Sequence, residues 1–262
     1  MNKPIKPCVC KNCGLLCYDN FCPRCGQKTD TDRLTFRSMA RGFAAAIVGG
    51  ENGLTHTIVQ LFSHPNRLIS NYINGKRKNY FAPFPLLFLA LAVCLVVLQI
   101  ATVDWAGALE NFDMSIVKDA DKATAGRLLQ RTRAIYTFFF RYFTLISVLL
   151  APILIIGVRI CFGSAFRRRY NWAETTVMQT YLLVQMILCA SALTLVACVV
   201  PPLQYAYWLL PLTGVVLLVV DTHGMGDASV WRRIGQSILA ILFTLTIQTA
   251  ICATILLFAY LV

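Results

Sequence analysis

Charged residues are scarce in this sequence, and acidic residues are the scarcest. Only 14% of the 262 residues are charged, with 12 Asp and Glu against 24 Lys and Arg, whereas 57% are hydrophobic. Because a soluble domain has about a quarter of its residues charged, this composition argues against a soluble globular protein and indicates a membrane protein. The formal net charge of +12 favours retained cytoplasmic loops and anionic lipid head groups over nucleic acid.

Motifs for catalysis and transport are also missing. The sequence has no Walker A loop, Gly-x-Ser-x-Gly elbow, His-Glu-x-x-His or EF-hand pattern, so we predict that the protein is not an enzyme. The middles of its long apolar runs hold no Asp, Glu or His, which ion-coupled transporters usually place there. They hold Gln99, Gln185 and Gln248, whose amides more often join helices than line a substrate path. The first 35 residues contain no apolar h-region, so we expect no cleavable signal peptide.

Five apolar runs are long enough to cross a hydrocarbon core, which needs roughly 20 helical residues. We predict spans at 84–103, 142–162, 177–200, 203–220 and 238–262. Pro201 and Pro202 cannot continue a helix, so spans three and four should form a tight hairpin. The predicted fold class is an all-α polytopic membrane protein whose transmembrane domain occupies 81–262.

The distribution of Lys and Arg predicts the orientation. Residues 1–80 hold twelve of them, and arginines at 167–169 and 232–233 follow spans two and four. The loop 104–135 instead balances five basic residues against five acidic ones, although arginines in 127–141 lie on this same side. By the positive-inside rule, the N-terminus lies in the cytoplasm and the C-terminus outside.

Five cysteines lie within residues 9–27, VCKNCGLLCYDNFCPRCGQ. Two Cys-x2-Cys-Gly turns, separated by eight residues, have the spacing of zinc knuckles. Two thiolates from each turn can complete a tetrahedral site with no open position, which is typical of structural zinc. We predict a ribbon at 1–32 with one structural Zn²⁺ held by Cys10, Cys13, Cys22 and Cys25. Iron with the same ligands and disulfide pairing are the alternatives.

Two further cysteines and three histidines have no firm role. Cys8 could replace the first ligand, and Cys17 lies between the knuckles; we expect free thiols, with redox sensing or a second metal as alternatives. His56, His64 and His223 all fall on the predicted cytoplasmic side. Solvated loop histidines are the default interpretation, and a second metal or acid–base site is the alternative.

Residues 33–80 form a separate segment between the ribbon and the first span. Apolar residues recur at helical spacing, and Arg33, Arg37 and Arg41 lie on one stripe. Breaks are predicted at 49–50, 63–65 and Gly75. This pattern favours amphipathic helices lying in the cytoplasmic interface, with an ordinary helical subdomain as the alternative.

The end of this segment carries the predicted contacts with lipid. Lys76, Arg77 and Lys78 should meet anionic head groups, at about 1 kcal/mol each. Tyr80 should lie in the interfacial aromatic belt. Plain positive-inside anchoring accounts for the same residues without a specific lipid site.

Two stretches of the first third of the chain carry a recognisable pattern. One is the ribbon ending in FCPRCGQ, and the other is HPNRLISNYINGKRKNYFAPFPLLF before the first span. Besides the four cysteines, the matching residues are Pro65, Tyr72, Gly75, Lys76, Arg77, Tyr80 and Pro83. Together they resemble a bacterial family of zinc-ribbon, multi-pass membrane proteins of unknown function. The resemblance implies a zinc ribbon and a bacterial inner-membrane location, and it brings no catalytic residues.

Three classes of function remain after these arguments. The favoured one is a non-enzymatic inner-membrane protein whose cytoplasmic zinc ribbon docks a protein partner or stabilises the helical platform. We expect this protein to contact membrane lipid, and homo-oligomerisation is an open possibility. The alternative is a transporter or channel component. Nucleic-acid binding is not expected, because residues 1–35 hold only six Lys and Arg and few aromatic residues.

Overall fold

The chain begins with a small cysteine-rich β-structure and continues as helices. The computed structural model describes residues 7–29, 31, 33–39, 53–101, 148–200, 209–225 and 229–261, with single positions in 130–146 and 202–206. The predicted break at 49–50, Arg41 and nearly all of the loop 104–135 lie outside the described residues.

The N-terminal ribbon is built on two short antiparallel strands, β1 (Cys8–Val9) and β2 (Leu16–Cys17). An isolated bridge joins Phe21 and Lys28 further along. Two turns of the same construction follow one another. The N–H of Cys10 donates to Leu15 O at 2.8 Å, and the N–H of Cys22 donates to Gln27 O at 2.8 Å.

Eight helices are described from their first to their last residue. They are α1 (Leu54–Ser63), α2 (Pro65–Ile73), α3 (Pro83–Ile100), α4 (Ala151–Cys161), α5 (Gly163–Arg169), α6 (Trp172–Val199), α7 (Leu210–Thr222) and α8 (Val230–Leu261). A proline lies in the first turn of α2, α3, α4 and α7. Its fixed φ suits that position, and the N–H that it lacks would have no partner within the helix.

Three helices are long and apolar enough to cross a membrane within the described residues: α3, α6 and the part of α8 at Val230–Ile251. This supports the membrane class predicted from composition. The apolar helices α4 and α7 have 11 and 13 residues in the described structure. At about 1.5 Å per residue they fall short of a hydrocarbon core of ~30 Å. Five spans therefore stay a prediction.

Helix α6 starts earlier than the predicted span at 177–200. The Asn171 side chain accepts the Glu174 N–H at 2.8 Å, and Glu174 Oε2 accepts the Asn171 N–H at 2.8 Å. This reciprocal pair is a capping box, which satisfies two donors that the helix itself cannot pair. Helix α7 differs in the other direction, because it begins at Leu210 and not at 203.

Helix α6 is the centre of the helical domain. It packs against α3, α4 and α7, and its contact with α3 is the most extensive. Val177, Tyr181, Val184 and Ile187 recur every three or four residues and are almost completely buried. That spacing places them on one face of the helix, which is the face that forms the core.

Helices α1 and α2 pack against α6 and α7, and we call this helix pair the platform. Leu61, Leu68 and Ile69 are fully buried in the common core. Gln185 of α6 donates to Leu61 O at 2.8 Å. The buried face agrees with the alternative that this segment is an ordinary helical subdomain. Val59, however, is 60% exposed, and an exposed apolar side chain is what a helix lying in the membrane interface requires.

The breaks predicted inside this platform are confirmed. Helix α1 ends at Ser63 and α2 begins at Pro65. Gly75 has φ +98 and ends α2, with the Lys76 N–H donating to Asn71 O at 2.9 Å. This is the Schellman closure, in which glycine adopts the left-handed conformation at low cost.

Candidate metal centre and its contacts with the helices

The four predicted ligands lie together at the centre of the ribbon. The Sγ atoms of Cys10, Cys13, Cys22 and Cys25 all lie within 4.8 Å of one another. Cys10 and Cys25 are 3.6 Å apart, and Cys13 and Cys22 are 3.4 Å apart. A tetrahedron with metal–sulfur bonds of about 2.3 Å has edges of about 3.8 Å. The donor set therefore fits one four-coordinate metal ion.

The glycine after each Cys-x2-Cys pair shapes the turn around the sulfurs. Gly14 has φ +76 and Gly26 has φ +68, in the left-handed region that glycine adopts readily. The chain then turns so that backbone N–H groups face the ligands. The N–H of Leu15 bonds to Cys13, and the N–H of Gln27 bonds to Cys25. Such amide donors stabilise the negative charge of a bound thiolate.

The ligand Cys22 and the additional Cys17 differ in ionisation. Burial opposes ionisation of Cys22, but the backbone N–H groups of Cys25 and Arg24 and the neighbouring thiols lower its pKa to about 6. Burial is the largest influence on Cys17, and it raises the pKa of that thiol to about 11. At neutral pH the surroundings therefore favour a thiolate at Cys22 and a neutral thiol at Cys17.

The two additional cysteines lie next to the centre but outside the ligand set. Cys8 and Cys17 face each other directly across β1 and β2. Cys17 is 1% exposed, and its thiol donates to Leu15 O at 3.3 Å. In the described structure the group that could hold a metal consists of the other four cysteines. Nothing in the sequence indicates that these two cysteines are neighbours, because their proximity depends on the register of β1 and β2.

Gln27 attaches the ribbon to the end of the platform. Its Nε2 donates to Gly75 O at 2.9 Å, and its Oε1 accepts the N–H groups of Arg77 at 3.0 Å and Lys78 at 3.2 Å. The Gln27 residue is only 4% exposed. One buried amide therefore satisfies three backbone groups that are about fifty positions away in sequence. We call this contact the Gln27 anchor.

Gly75 also lies at a close approach between the ribbon side of the fold and the end of α2. A Cβ added there would lie 2.8 Å from Lys11 Cδ and 3.2 Å from Thr31 Oγ1. Lys11 itself donates a hydrogen bond to Thr31 O. The ribbon and the residues after it thus approach the platform at a point where an added Cβ would crowd the side chains of Lys11 and Thr31.

A second attachment joins the residues after the ribbon to the start of α6. Arg33 Nε and Nη2 donate to the two carboxylate oxygens of Glu174 at 2.8 and 2.9 Å, and Nη2 also donates to Arg169 O at 2.9 Å. Asn171 donates to Leu34 O at 2.9 Å. We call these contacts the Arg33 anchor. The Arg33 side chain is 58% exposed, so solvent screens this ion pair, and its geometry fixes position more than it adds stability.

The residues predicted to contact lipid occupy different surroundings. Lys76 is exposed, whereas Arg77 and Lys78 are half-buried beside Gln27. Tyr80 is 9% exposed, and its hydroxyl accepts from Asn71 at 3.0 Å and donates to Gln60 at 3.2 Å. The Tyr80 ring therefore packs inside the platform, because its hydroxyl finds partners on α1 and α2. Contact of these four residues with lipid stays a prediction.

Two of the three histidines line the same cavity, and the third packs on a tyrosine ring. The His56 ring stacks on Tyr80 with centroids 5.7 Å apart, and its Nδ1 lies 3.1 Å from Asn79 O. His64 and His223 line one small cavity of ≈ 170 Å³. In the residues that the structure describes, these histidines do not belong to a cluster of three or more metal-ligating groups. A second metal site stays an untested alternative.

Asp221 is a buried acidic residue. It lies in α7, is 2% exposed, and neither of its carboxylate oxygens has a hydrogen-bond partner among the described residues. Gln185 Oε1 is also buried without a partner there. The aspartate is the last residue but one of the apolar helix α7. Hydropathy does not show whether a polar residue at such a boundary lies inside the helix or after it.

One protein-family model matches a part of the chain that contains the platform. The model described as "Protein of unknown function (DUF3667)" matches residues 51–95. This range contains α1, α2, the backbone groups of the Gln27 anchor and most of α3, and it ends before the later helices. It includes the second stretch of the resemblance and excludes the four cysteines. No curated protein and no solved structure matches the chain.

Proposed function

We propose that this chain is a non-enzymatic, multi-pass protein of the bacterial inner membrane. Its ribbon, with one structural Zn²⁺, lies in the cytoplasm and presents a rigid docking surface to a protein partner. The Gln27 anchor is the observation that carries this proposal. A ribbon held by buried hydrogen bonds has a fixed orientation relative to the helices, which a flexibly tethered ribbon would lack.

Zinc is the metal that suits this centre best. Four thiolates in two knuckles give a closed site, which holds a metal for structure and leaves no position for substrate. The reducing cytoplasm keeps such thiols available for metal. Iron bound by the same four sulfurs is the alternative, and the absorption spectrum of the purified protein distinguishes the two.

The orientation follows from charge and from the two anchors. Lys and Arg are concentrated before α3, at 167–169 and at 232–233. The ribbon attaches to the residues before α3 and to the start of α6, so these positions lie at the same end of the helices. The positive-inside rule assigns that end to the cytoplasm.

The ribbon carries exposed apolar side chains that suit a protein partner. Val9 is 62% exposed, Leu16 49%, Tyr18 63% and Phe21 59%. Val9 and Leu16 are neighbours across β1 and β2. We call these four residues the ribbon face. Exposed aromatic and aliphatic side chains on a rigid support are typical of the central part of protein interfaces.

The test is site-specific photo-crosslinking in native membranes. In the double variant Tyr18→Ser/Phe21→Ser, the amount of crosslinked product should fall by at least about tenfold, because aromatic residues contribute much of the binding energy of protein interfaces. The matched control is Val59→Ser/Phe62→Ser, which removes two exposed apolar side chains from α1. The control should keep the species, and both variants should keep one metal ion per chain. Equal crosslinking of the ribbon-face variant and the wild type would contradict the proposal.

A transporter or channel component is the second candidate, and one observation favours it. Asp221 and Gln185 are buried polar side chains with unpaired oxygens among the described residues. Ionisable groups buried among membrane helices often mark a path for ions or protons. This candidate requires flux through reconstituted protein that changes in Gln185→Leu or Asp221→Asn, whereas the docking proposal requires none.

A further inference from the structure

A polar cavity lies where the ribbon, the platform and the helical domain meet. Its volume is ≈ 440 Å³. Lys11 contributes from the ribbon, Asn74 from the end of α2, Arg169 and Tyr170 from the junction of α5 and α6, and Gly224 from the turn after α7. Ligand pockets typically have volumes of about 300–1,000 Å³. The cavity is therefore large enough for a small ligand and is built from four separate parts of the fold.

The lining of this cavity has an excess of positive charge. It contains Lys11, Arg33 and Arg169 against the single carboxylate of Glu174. Arg33 is matched by that carboxylate through two hydrogen bonds of 2.8 and 2.9 Å. Among the described residues of the lining, Glu174 is the one carboxylate, so Lys11 and Arg169 leave an excess of two positive charges there. Two cations that line one cavity attract a multiply charged anion more strongly than a neutral ligand.

The geometry of these two side chains suits a phosphate group. Lys11 donates one hydrogen bond to Thr31 O, so two of its three N–H bonds remain for a ligand. The Arg169 guanidinium lies beside the Tyr170 ring, with Cζ 5.7 Å from the ring centroid. A guanidinium offers a planar fork of donors, which matches pairs of phosphate oxygens. Ser70 and Asn74 add neutral polar groups to the same cavity.

We propose that this cavity binds an anionic phosphate group, which comes either from a lipid head group or from a soluble phosphate ester. The ligand bridges Lys11 on the ribbon and Arg169 on the helical domain. It thus acts beside the Gln27 and Arg33 anchors and strengthens the attachment of the ribbon. The proposal is independent of a protein partner, because the ribbon face is formed by other residues.

The experiment uses the full-length, metal-loaded protein in nanodiscs. In phosphatidylcholine discs, inorganic phosphate and glycerol phosphate are titrated against sodium chloride of equal ionic strength, and binding is followed by thermal stability. In discs that contain phosphatidylglycerol, native mass spectrometry counts the retained lipid. Binding of the soluble probes indicates a soluble ligand. Retained phosphatidylglycerol without such binding indicates a lipid head group.

The variants separate the cavity from general charge. Lys11→Gln/Arg169→Gln should weaken binding by about tenfold or more, because it removes two charge-assisted contacts. Arg24→Gln/Arg168→Gln removes the same charge from the ribbon and from α5 outside the lining, and should change binding by less than about twofold. The single variant Arg169→Gln should also weaken binding, and it leaves the structural contact of Lys11 with Thr31 intact. Metal content checks that the ribbon is folded in each variant. The proposal is overturned if the soluble phosphates bind no better than chloride and phosphatidylglycerol is not retained either, or if both double variants weaken binding equally.

Discussion

Replacement of Cys22 by serine is expected to empty the metal centre and unfold the ribbon. The buried hydrophobic cluster of the ribbon consists of Cys10, Cys17 and Cys22, with the other nearby cysteines packed against it. Such a segment has no apolar core of its own, so its folding free energy comes from the metal. Structural zinc contributes on the order of 10–16 kcal/mol in comparable sites. Elemental analysis of purified Cys22→Ser should therefore give a metal content near zero, compared with one ion per wild-type chain.

Cys17→Ser is the matched control for this prediction. Cys17 is as deeply buried as Cys22, at 1% against 2% exposed, but it lies outside the four-sulfur group. The control should keep one ion per chain and a folded ribbon. Loss of metal from Cys17→Ser, or its retention by Cys22→Ser, would contradict the ligand assignment. The helical domain should insert into membranes in both variants, because its apolar helices do not depend on the metal.

Gln27→Ala is expected to detach a correctly folded ribbon from the platform. The substitution removes the three hydrogen bonds of the Gln27 anchor and leaves Gly75 O and the N–H groups of Arg77 and Lys78 without that partner. At about 0.5–1.5 kcal/mol for each bond, the loss is roughly 2–4 kcal/mol. Limited proteolysis after Lys28 and Arg33 should accelerate by at least about tenfold, since detachment of the ribbon makes the buried residues Thr31 and Leu34 accessible.

Two comparisons make this result specific. Gln27→Glu keeps an acceptor for the N–H groups of Arg77 and Lys78 and loses the donor to Gly75 O, so its proteolysis rate should be intermediate. Lys28→Gln changes the neighbouring side chain and should behave as wild type. Metal content should stay at one ion per chain in all three. If Gln27→Ala is cleaved as slowly as wild type, the amide does not hold the ribbon in place.

Local chemistry explains the features that the sequence predicted well. The two Cys-x2-Cys-Gly turns form a four-sulfur cluster, because each turn needs only its own residues. The breaks at 63–65 and at Gly75 are set by a proline and by a left-handed glycine. Composition alone indicated membrane helices, and three helices in the described residues have the required length and hydropathy.

Contacts between distant residues explain what the sequence did not predict. Gln27 and Gly75 are 48 positions apart, and Arg33 and Glu174 are 141 positions apart. Glutamine, arginine and glutamate are ordinary surface residues, so a single sequence gives no signal that they meet. Tyr80 illustrates the same limit. The sequence does not show that its hydroxyl has partners on α1 and α2, which bury most of the ring.

Hydropathy also failed to locate the helix ends. Helix α6 begins at Trp172 because Asn171 and Glu174 form a capping box, although apolar residues become continuous only near 177. Helix α7 begins at Leu210, immediately before Pro211, and not at the start of the apolar run. A helix start depends on the pairing of its first N–H groups, and a hydropathy window does not measure that pairing.

The central claim is that the metal-loaded ribbon and the platform form one structural unit. The most direct test is hydrogen–deuterium exchange of the full-length protein, before and after removal of the metal by a chelator. The N–H groups of Arg77 and Lys78 donate to Gln27 Oε1 at 3.0 and 3.2 Å. Their exchange should accelerate by at least about tenfold on metal removal, whereas amides around the buried Tyr181 should not change. Unchanged exchange at Arg77 and Lys78 after loss of the metal would contradict the claim.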